Sequence, residues 1–361
     1  MSLDILDHAD ATQTSVSRGH NNRKAMLGML FCLVLVVVVS AGLAAKVLGM
    51  GRDLAMPVQR IDGVFAGLEN RPAKPTSGDA AKAMNILLMG VDRRSDEATT
   101  GDDAKSPEWV PGAQRTDTLM ILHVDGDRDG ASIISIPRDS WVEVPGHGRA
   151  KINAAFSFAG PSLAVETVET LTGIRIDHLA VVDWEGFRQL TDEVGGVTVE
   201  VPETVHDSAR DITWTAGPHL LNGEQALAYV RQRYGLPDGD LDRVRRQQVF
   251  LRSVLGASLS DIHANPLRLH ALLKSMASHA SIDSTWSTID MGRLAFSLRD
   301  LRSPDIHYFT APVSGFGREG PQSVVRLDSE AGRALWRAVR LDRVDRWART
   351  NPGAEIPRIV R

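Results

Sequence analysis

The sequence is almost devoid of cysteine, with Cys32 the only one in 361 residues. No disulfide can form within the chain, and no pair of thiolates can bind a metal. Because Cys32 lies inside an apolar run, it is most simply a small apolar residue facing lipid or a partner helix, with lipidation as the alternative. Any metal site or reactive centre must therefore be built from other residue types.

The chain also lacks an excess of positive charge, since its formal net charge is −4. A protein that binds nucleic acid usually carries a clustered basic face. Here the arginines are interleaved with aspartate and glutamate along the whole sequence. This pattern argues against a nucleic-acid partner and favours a discrete site for an anionic ligand.

Several catalytic motifs are missing. The sequence contains no GxSxG elbow, no SxxK pair, no P-loop and no HExxH pair. The 11 histidines show no local spacing typical of zinc, and His178 and His206 are interpreted as structural or surface residues. The usual signatures of serine hydrolases, nucleotide-binding enzymes and zinc proteases are thus absent.

One long hydrophobic run is present. Residues Ala25 to Ala45 contain no charge, and a helix of this length reaches about 30 Å, the thickness of a bilayer core. Arg18, Arg23 and Lys24 precede the run, so the positive-inside rule predicts a cytoplasmic N-terminus and an extracytoplasmic remainder. A cleaved signal peptide is the alternative, but the run exceeds a usual signal core.

The chain divides into five parts by composition. We predict a disordered cytoplasmic tail over residues 1–24, a transmembrane helix over 25–45 and a proline-containing spacer over 46–83. A main domain is expected over 84–344, followed by a loosely ordered tail over 345–361. The predicted location is the cell membrane, with a single span.

Strands and helices alternate in the main domain, so we predict an α/β fold, a sandwich of helices around a central sheet. Asn85 to Asp92 is typical of a buried strand that ends in an acid. Pro161 to Thr172, followed by Gly173, is typical of a helix, and Asn222 with Gln225 forms a predicted capping box.

Five stretches combine basic and acidic or amide residues where elements are predicted to end. They are GVDRR at 90–94, RTDT at 115–118, IPRDS at 136–140, KINAAF at 151–156 and a longer stretch at 229–248. Guanidinium groups bind phosphate oxygens bidentately. Carboxylates beside them suit a cation, and Mg²⁺ shared with a pyrophosphate provides one, with Asp92 and Asp117 as the expected ligands.

The stretch at 229–248 has a helical part. Arg243, Arg246 and Gln247 lie at i, i+3 and i+4, so they share one helix face. Asp240 precedes this helix and can cap it or reach the metal.

Each motif alone has an ordinary structural explanation. Arg231 and Arg233 are two residues apart, so both can grip one ligand only if the chain between them is extended or turning. Asp139 can simply orient Arg138, and Lys151 alone is typical of a solvated side chain. The joint occurrence of the motifs favours a phosphate site.

The motifs follow one another in the order of a known family. NILLMGVDRR, RTDTLMIL, SIPRDSWV, KINAAFSFAG, LLNGEQALAYVRQR and GDLDRVRRQQVFL resemble the LytR–CpsA–Psr domain of bacterial cell-envelope proteins. The resemblance spans roughly residues 84–259. It implies an α/β/α sandwich around a mixed sheet, with a hydrophobic pocket for a lipid tail. The segment between Asp92 and Arg115 is longer than is usual in the family.

The resemblance implies a Mg²⁺-dependent phosphotransferase, with Mn²⁺ as an alternative ion. It would move a glycopolymer from a membrane-bound polyprenyl-pyrophosphate carrier onto peptidoglycan through a phosphodiester. The implied metal ligands are Asp92 and Asp117. The implied catalytic residues are Arg115, Arg138, Asp139, Asp240 and Arg243. The implied pyrophosphate-binding residues are Arg115, Arg138, Lys151, Arg231, Arg233, Arg243, Arg246 and Gln247.

Two other functions fit the same residues. A non-catalytic protein could bind lipid-linked precursors or attenuate envelope gene expression, and a hydrolase could cleave the lipid pyrophosphate with water as acceptor. Both would need the same pocket and the same cations. Analysis of the reaction products distinguishes the three functions.

Overall fold

The computed structural model describes residues 59–93, 114–193, 195–232, 234–237, 242–253 and 280–357. The predicted transmembrane helix over residues 25–45 lies outside these ranges. Within the described part of the chain, no helix combines the length and apolar character needed to cross a bilayer.

In the described part of the chain, a mixed seven-stranded sheet forms the centre of the fold. Its strands are β1 (Gln59–Ile61), β2 (Met84–Arg93), β3 (Gln114–Val124), β4 (Ala131–Ile136), β7 (His178–Asp183), β12 (Ala280–Asp283) and β13 (Ile306–Thr310). Their order across the sheet is β1-β12-β7-β2-β3-β4-β13. β2 pairs antiparallel with β3 and parallel with β7, and β4 pairs parallel with β13.

Four two-stranded sheets surround the central one. Their strands are β5 (Trp141–Val144) with β6 (Gly148–Lys151), β8 (Val197–Val201) with β11 (Gly217–Leu221), β9 (Val205–Asp207) with β10 (Ile212–Trp214), and β14 (Val313–Glu319) with β15 (Gln322–Leu327). The described helices are α1 (Ala154–Thr172), α2 (Trp184–Glu193), α3 (Gly223–Arg231), α4 (242–253), α5 (Thr288–Ser297), α6 (Ser329–Arg340) and α7 (Val344–Thr350).

Helices cover both faces of the central sheet. Ile86 and Leu88 of β2 pack on one face with residues of α3 and α4, whereas Leu87 and Met89 pack on the other with residues of α1 and α6. All four side chains are fully buried. Successive residues of a strand point to opposite faces, so an unbroken apolar run is what a doubly covered strand requires. The predicted α/β fold with a central mixed sheet is confirmed.

Local sequence signals set several helix ends. Pro161 follows a kink in α1 at Gly160, whose φ of 72° lies in the left-handed region, and Gly173 ends the helix with a φ of 64°. The predicted capping box is present, since the Asn222 side chain accepts from Gln225 N and the Gln225 side chain accepts from Asn222 N.

The ends of the domain differ from the prediction. β1 pairs with β12, and Arg71 forms a salt bridge of 2.7 Å with Glu169, so part of the expected spacer belongs to the domain. Beyond Val344, the chain forms α7 rather than a loose tail, and the Ile356 side chain is buried. These segments are held by tertiary contacts, which the short, polar local sequence does not indicate.

Candidate functional site

A β-bulge places Asp117 at the end of the central sheet. Thr118 pairs with Gly90 and Thr116 pairs with Val91, so Asp117 is the additional residue on β3. Bulges redirect side chains and are common beside active sites. Asp92 lies opposite Arg115 in the same register, which brings both predicted metal ligands to one end of two neighbouring strands. For Asp92 and Arg115 only the backbone is described.

The turn after β4 contributes an alternating chain of charges. Arg138 Nη1 donates to Asp117 Oδ1, and Arg138 Nε lies 3.8 Å from Asp139 Oδ2. Asp139 Oδ1 in turn lies 2.9 Å from Lys151 Nζ. The motifs containing Asp117, Arg138 and Lys151 are therefore joined in space, as predicted. Asp139 orients both cations.

Helices α3 and α4 supply the opposite side of the site. Arg231 ends α3, and its guanidinium carbon lies 5.3 Å from the centroid of the Trp184 ring. Arg243 and Gln247 lie one turn apart on α4, and both are almost fully buried. Gln248 fixes α4 to the sheet by donating to Phe309 O at 2.5 Å and Ser135 Oγ at 2.6 Å.

These elements enclose a polar cleft with about 700 Å³ of empty volume. Among the residues whose side chains the structure describes, four arginines and one carboxylate line it, so it is suited to an anion with several negative charges. Its lining residues are Asp117, Arg138, Trp184, Ala209, Arg210, Arg231, Tyr234, Arg243 and Gln247.

Arg246 does not line this cleft. Its side chain is buried, lies 4.5 Å from the centroid of the Tyr229 ring and donates to Gln232 Oε1 at 2.6 Å. Burial lowers the pKa of the Arg246 guanidinium, and Tyr229 acts in the opposite direction. Arg246 thus forms a contact between α4 and α3, and its expected contact with phosphate stays a prediction. Arg243 and Arg246 were predicted to share one face of α4. Arg243 lines the cleft, whereas Arg246 is covered by α3.

Some residues that were not predicted to belong to the site line the cleft. Arg210, in the turn between β9 and β10, lines the cleft and forms an ion pair of 2.8 Å with Asp207. Trp184 and Tyr234 also line it. Arg210 and Trp184 belong to none of the five charged stretches, and Tyr234 lies inside the stretch at 229–248 but carries no charge, so none of the three was predicted to line the site. Arg233 and Asp240 lie outside the described residues.

An apolar pocket with about 500 Å³ of empty volume adjoins the cleft, because Trp184 and Gln247 line both. Phe187 lines it, whereas Phe156 belongs to the core on the other face of the sheet. The other lining residues are Gly90, Thr118, Met120, Val182, Asp183, Val230, Phe250 and Leu251. A ligand with an anionic head and an apolar tail matches this pair of cavities.

The fold and the site define a class of α/β proteins in which an arginine-lined cleft lies beside an apolar pocket. The chain belongs to the LytR_cpsA_psr family, whose model matches residues 66–337. The expected family membership is confirmed.

Relatives and solved structures agree with this assignment. The chain is 32% identical to the cell wall biosynthesis protein LcpA of Corynebacterium glutamicum, over 90% of this chain and 67% of LcpA. It is 29% identical to the polyisoprenyl-teichoic acid–peptidoglycan teichoic acid transferase TagU of Enterococcus faecalis, over 76% of this chain and 84% of TagU. The crystal structure of B. subtilis TagV aligns with a TM-score of 0.58 at 26% identity, covering 73% of this chain and 98% of TagV.

Proposed function

We propose that this protein is a membrane-anchored phosphotransferase that moves a glycopolymer from a polyprenyl-pyrophosphate carrier onto peptidoglycan. The observation that carries the proposal is the arginine-lined cleft joined to an apolar pocket through Trp184 and Gln247. A pyrophosphate would occupy the cleft, and the first isoprene units would enter the pocket. The naming of TagU as a teichoic acid transferase supports the same reaction class.

The reaction forms one phosphorus–oxygen bond and breaks another. A hydroxyl of the peptidoglycan sugar attacks the sugar-linked phosphorus, and the pyrophosphate bond to the polyprenyl phosphate breaks. Negative charge grows on the bridging oxygen of the leaving polyprenyl phosphate. Arg138, Arg231 and Arg243 line the cleft from opposite sides, so they are suited to bind the phosphate oxygens and stabilise this charge.

Asp117 fits the proposed metal. Its carboxylate lines the cleft next to Arg138, and Asp92 lies close by on the neighbouring strand. Hard oxygen ligands of this kind suit Mg²⁺, or Mn²⁺ in its place. Asp92 and Asp117 would hold the ion, which would neutralise pyrophosphate charge. Arg138 would then exchange its contact with Asp117 for a contact with phosphate.

The acceptor hydroxyl must also lose its proton. Asp139 is engaged by Lys151 and Arg138, so its proposed role is to position these cations. Asp240, which precedes α4 in sequence, is the alternative to Asp139 as the base that accepts the proton of the acceptor hydroxyl. Arg115 and Arg233 are further proposed phosphate contacts on the basis of their motifs.

The proposal is tested by incubating the purified full chain with a lipid-linked glycan donor, Mg²⁺ and peptidoglycan. We expect release of polyprenyl phosphate that depends on the acceptor. Release without acceptor would indicate a hydrolase. Donor binding without any release would indicate a precursor-binding protein. Either result contradicts the proposed transfer.

A further inference from the structure

We propose that His123, Asp125 and Asp342 form a second metal site, separate from the cleft, that binds one Zn²⁺ ion. The three side chains come together at the end of β3 opposite Asp117. His123 follows Asp117 by six positions along the strand, which corresponds to about 20 Å. The site therefore lies far from the proposed transfer reaction.

The geometry suits a small divalent ion. His123 Nε2 lies 3.0 Å from Asp342 Oδ1 and 3.5 Å from Asp125 Oδ1. One ligand atom from each residue lies within 4.8 Å of the others. Zinc binds histidine nitrogen and carboxylate oxygen at about 2.0–2.2 Å, so tetrahedral ligand atoms stand about 3.4 Å apart.

Hydrogen bonding fixes the tautomer of His123. The Asn85 amide nitrogen donates to Arg175 O at 3.0 Å, so its oxygen Oδ1 must face His123 Nδ1, 2.8 Å away. Nδ1 therefore carries the hydrogen. In the neutral ring, Nε2 then directs its lone pair at two carboxylates. This is the arrangement in which a metal-binding histidine is normally held by its second nitrogen.

The fold holds the three side chains close together. The His123 side chain is completely buried, and those of Asp125 and Asp342 are 20% and 5% exposed. The Arg128 guanidinium donates to the backbone oxygens of Asp125 and Lys82. Two carboxylates and one imidazole nitrogen thus face one another, an arrangement that a divalent ion can bridge.

A metal ion at this site would cross-link two parts of the fold. His123 and Asp125 belong to β3 and its following turn, whereas Asp342 lies between α6 and α7. Asp342 has a φ of 54°, unusual for a residue other than glycine, and it also accepts from Gly126 N at 3.1 Å. A bound zinc would tie the α6–α7 turn to the sheet across more than 200 residues of sequence. Its expected effect is on stability.

The test is zinc binding by the full chain after removal of metals with a chelator. We expect one equivalent of Zn²⁺ to bind with dependence on Asp342, and the melting temperature to rise by several degrees at saturating zinc. Asp342→Asn removes the ligand charge but keeps a residue that tolerates positive φ. Asp127→Asn is the matched control, since it makes the same change of charge in the turn that contains Asp125 but outside the cluster.

Asp342→Asn should no longer bind the equivalent of Zn²⁺, and zinc should no longer raise its melting temperature. Asp127→Asn and Asp117→Asn should keep both the zinc binding and the rise in melting temperature. If Asp342→Asn proves unfolded, Asp125→Asn replaces it, because that variant retains the contact between His123 and Asp342. The proposal is overturned if the wild type shows no zinc-dependent rise, in which case a proton alone completes the cluster. It is also overturned if the ligand variant binds and responds like the wild type.

Discussion

At the residue scale, Arg138 lies between two carboxylates, those of Asp117 and Asp139. Lys151 extends the same chain of alternating charges. Such an arrangement holds the guanidinium in place, and in the proposed reaction a cation at Asp117 would free it to bind a phosphate. It explains why acids and bases recur together in the motifs.

Arg243 provides a direct test of the cleft. Replacing it with alanine should lower kcat/KM for transfer by about 100-fold or more, because a donor to the transition state is lost. Arg245→Ala is the control on the same helix, since Arg245 pairs with Asp242 at 2.7 Å and does not line the cleft. Steady-state transfer assays, with melting curves of both variants, check this. Equal activities of the two variants would contradict the proposed role of Arg243.

Asp125 gives a prediction of pH dependence. Burial disfavours its charged form and raises its pKa in the folded protein from the ordinary 3.8 to about 6, so the native state binds more protons than the unfolded state between these pH values. The stability this residue contributes is full below about pH 3.8 and is lost as the pH rises through about 6.

In metal-free buffer, Asp125→Asn should therefore stabilise the protein relative to the wild type at pH 7.5, by at most about 3 kcal/mol, and much less at pH 4.5. Urea unfolding at the two pH values measures the difference. A difference that is the same at both would show that the Asp125 carboxyl is not perturbed.

At the element scale, α3 carries Arg231 at one end and the capping box at the other. Asn222→Ala removes the acceptor for Gln225 N and should destabilise the domain by about 1 kcal/mol. Asn222→Asp keeps an acceptor at a helix N-terminus and should remain close to wild type. Denaturant unfolding compares the two variants. Equal losses in both would mean that the cap contributes nothing.

Local chemistry made some elements predictable. The capping box of α3, the helix from Pro161 to Gly173 and the apolar strand β2 all depend on near neighbours in sequence. The bulge at Asp117 depends on how β2 and β3 pair, which single-strand patterns do not encode. The burial of Arg246 depends on α3 lying above α4, and β1 has only three residues.

The same distinction holds for the site. Asp117 and Arg138 come together as the motifs indicated, because the start of β3 and the end of its antiparallel neighbour β4 lie at one end of the central sheet. Lys151 joins them from the end of β6, which belongs to a separate two-stranded sheet. Arg210 enters from a turn that no periodicity marks. The His123 cluster joins residues more than 200 positions apart, so no local spacing could reveal it.

At the scale of the whole molecule, the predicted anchor at residues 25–45 places the cleft on a membrane tether. Removing residues 1–46 should release the protein from the membrane fraction without changing the melting temperature of the domain, since the described domain begins at residue 59. Fractionation and melting curves test this. Continued sedimentation with membranes would contradict an anchor in that segment. If the full sequence is expressed and the protein isolated from cells lacks residues 1–46, the segment is a cleaved signal peptide instead.

The most direct test of the account follows the phosphorus of the donor. A polyprenyl-pyrophosphate glycan is labelled with ³²P at the sugar-linked phosphorus and incubated with the protein, Mg²⁺ and peptidoglycan. The account predicts that the label becomes covalently bound to peptidoglycan while unlabelled polyprenyl phosphate is released. Label that stays on the lipid, or appears only on soluble glycan phosphate, would contradict it.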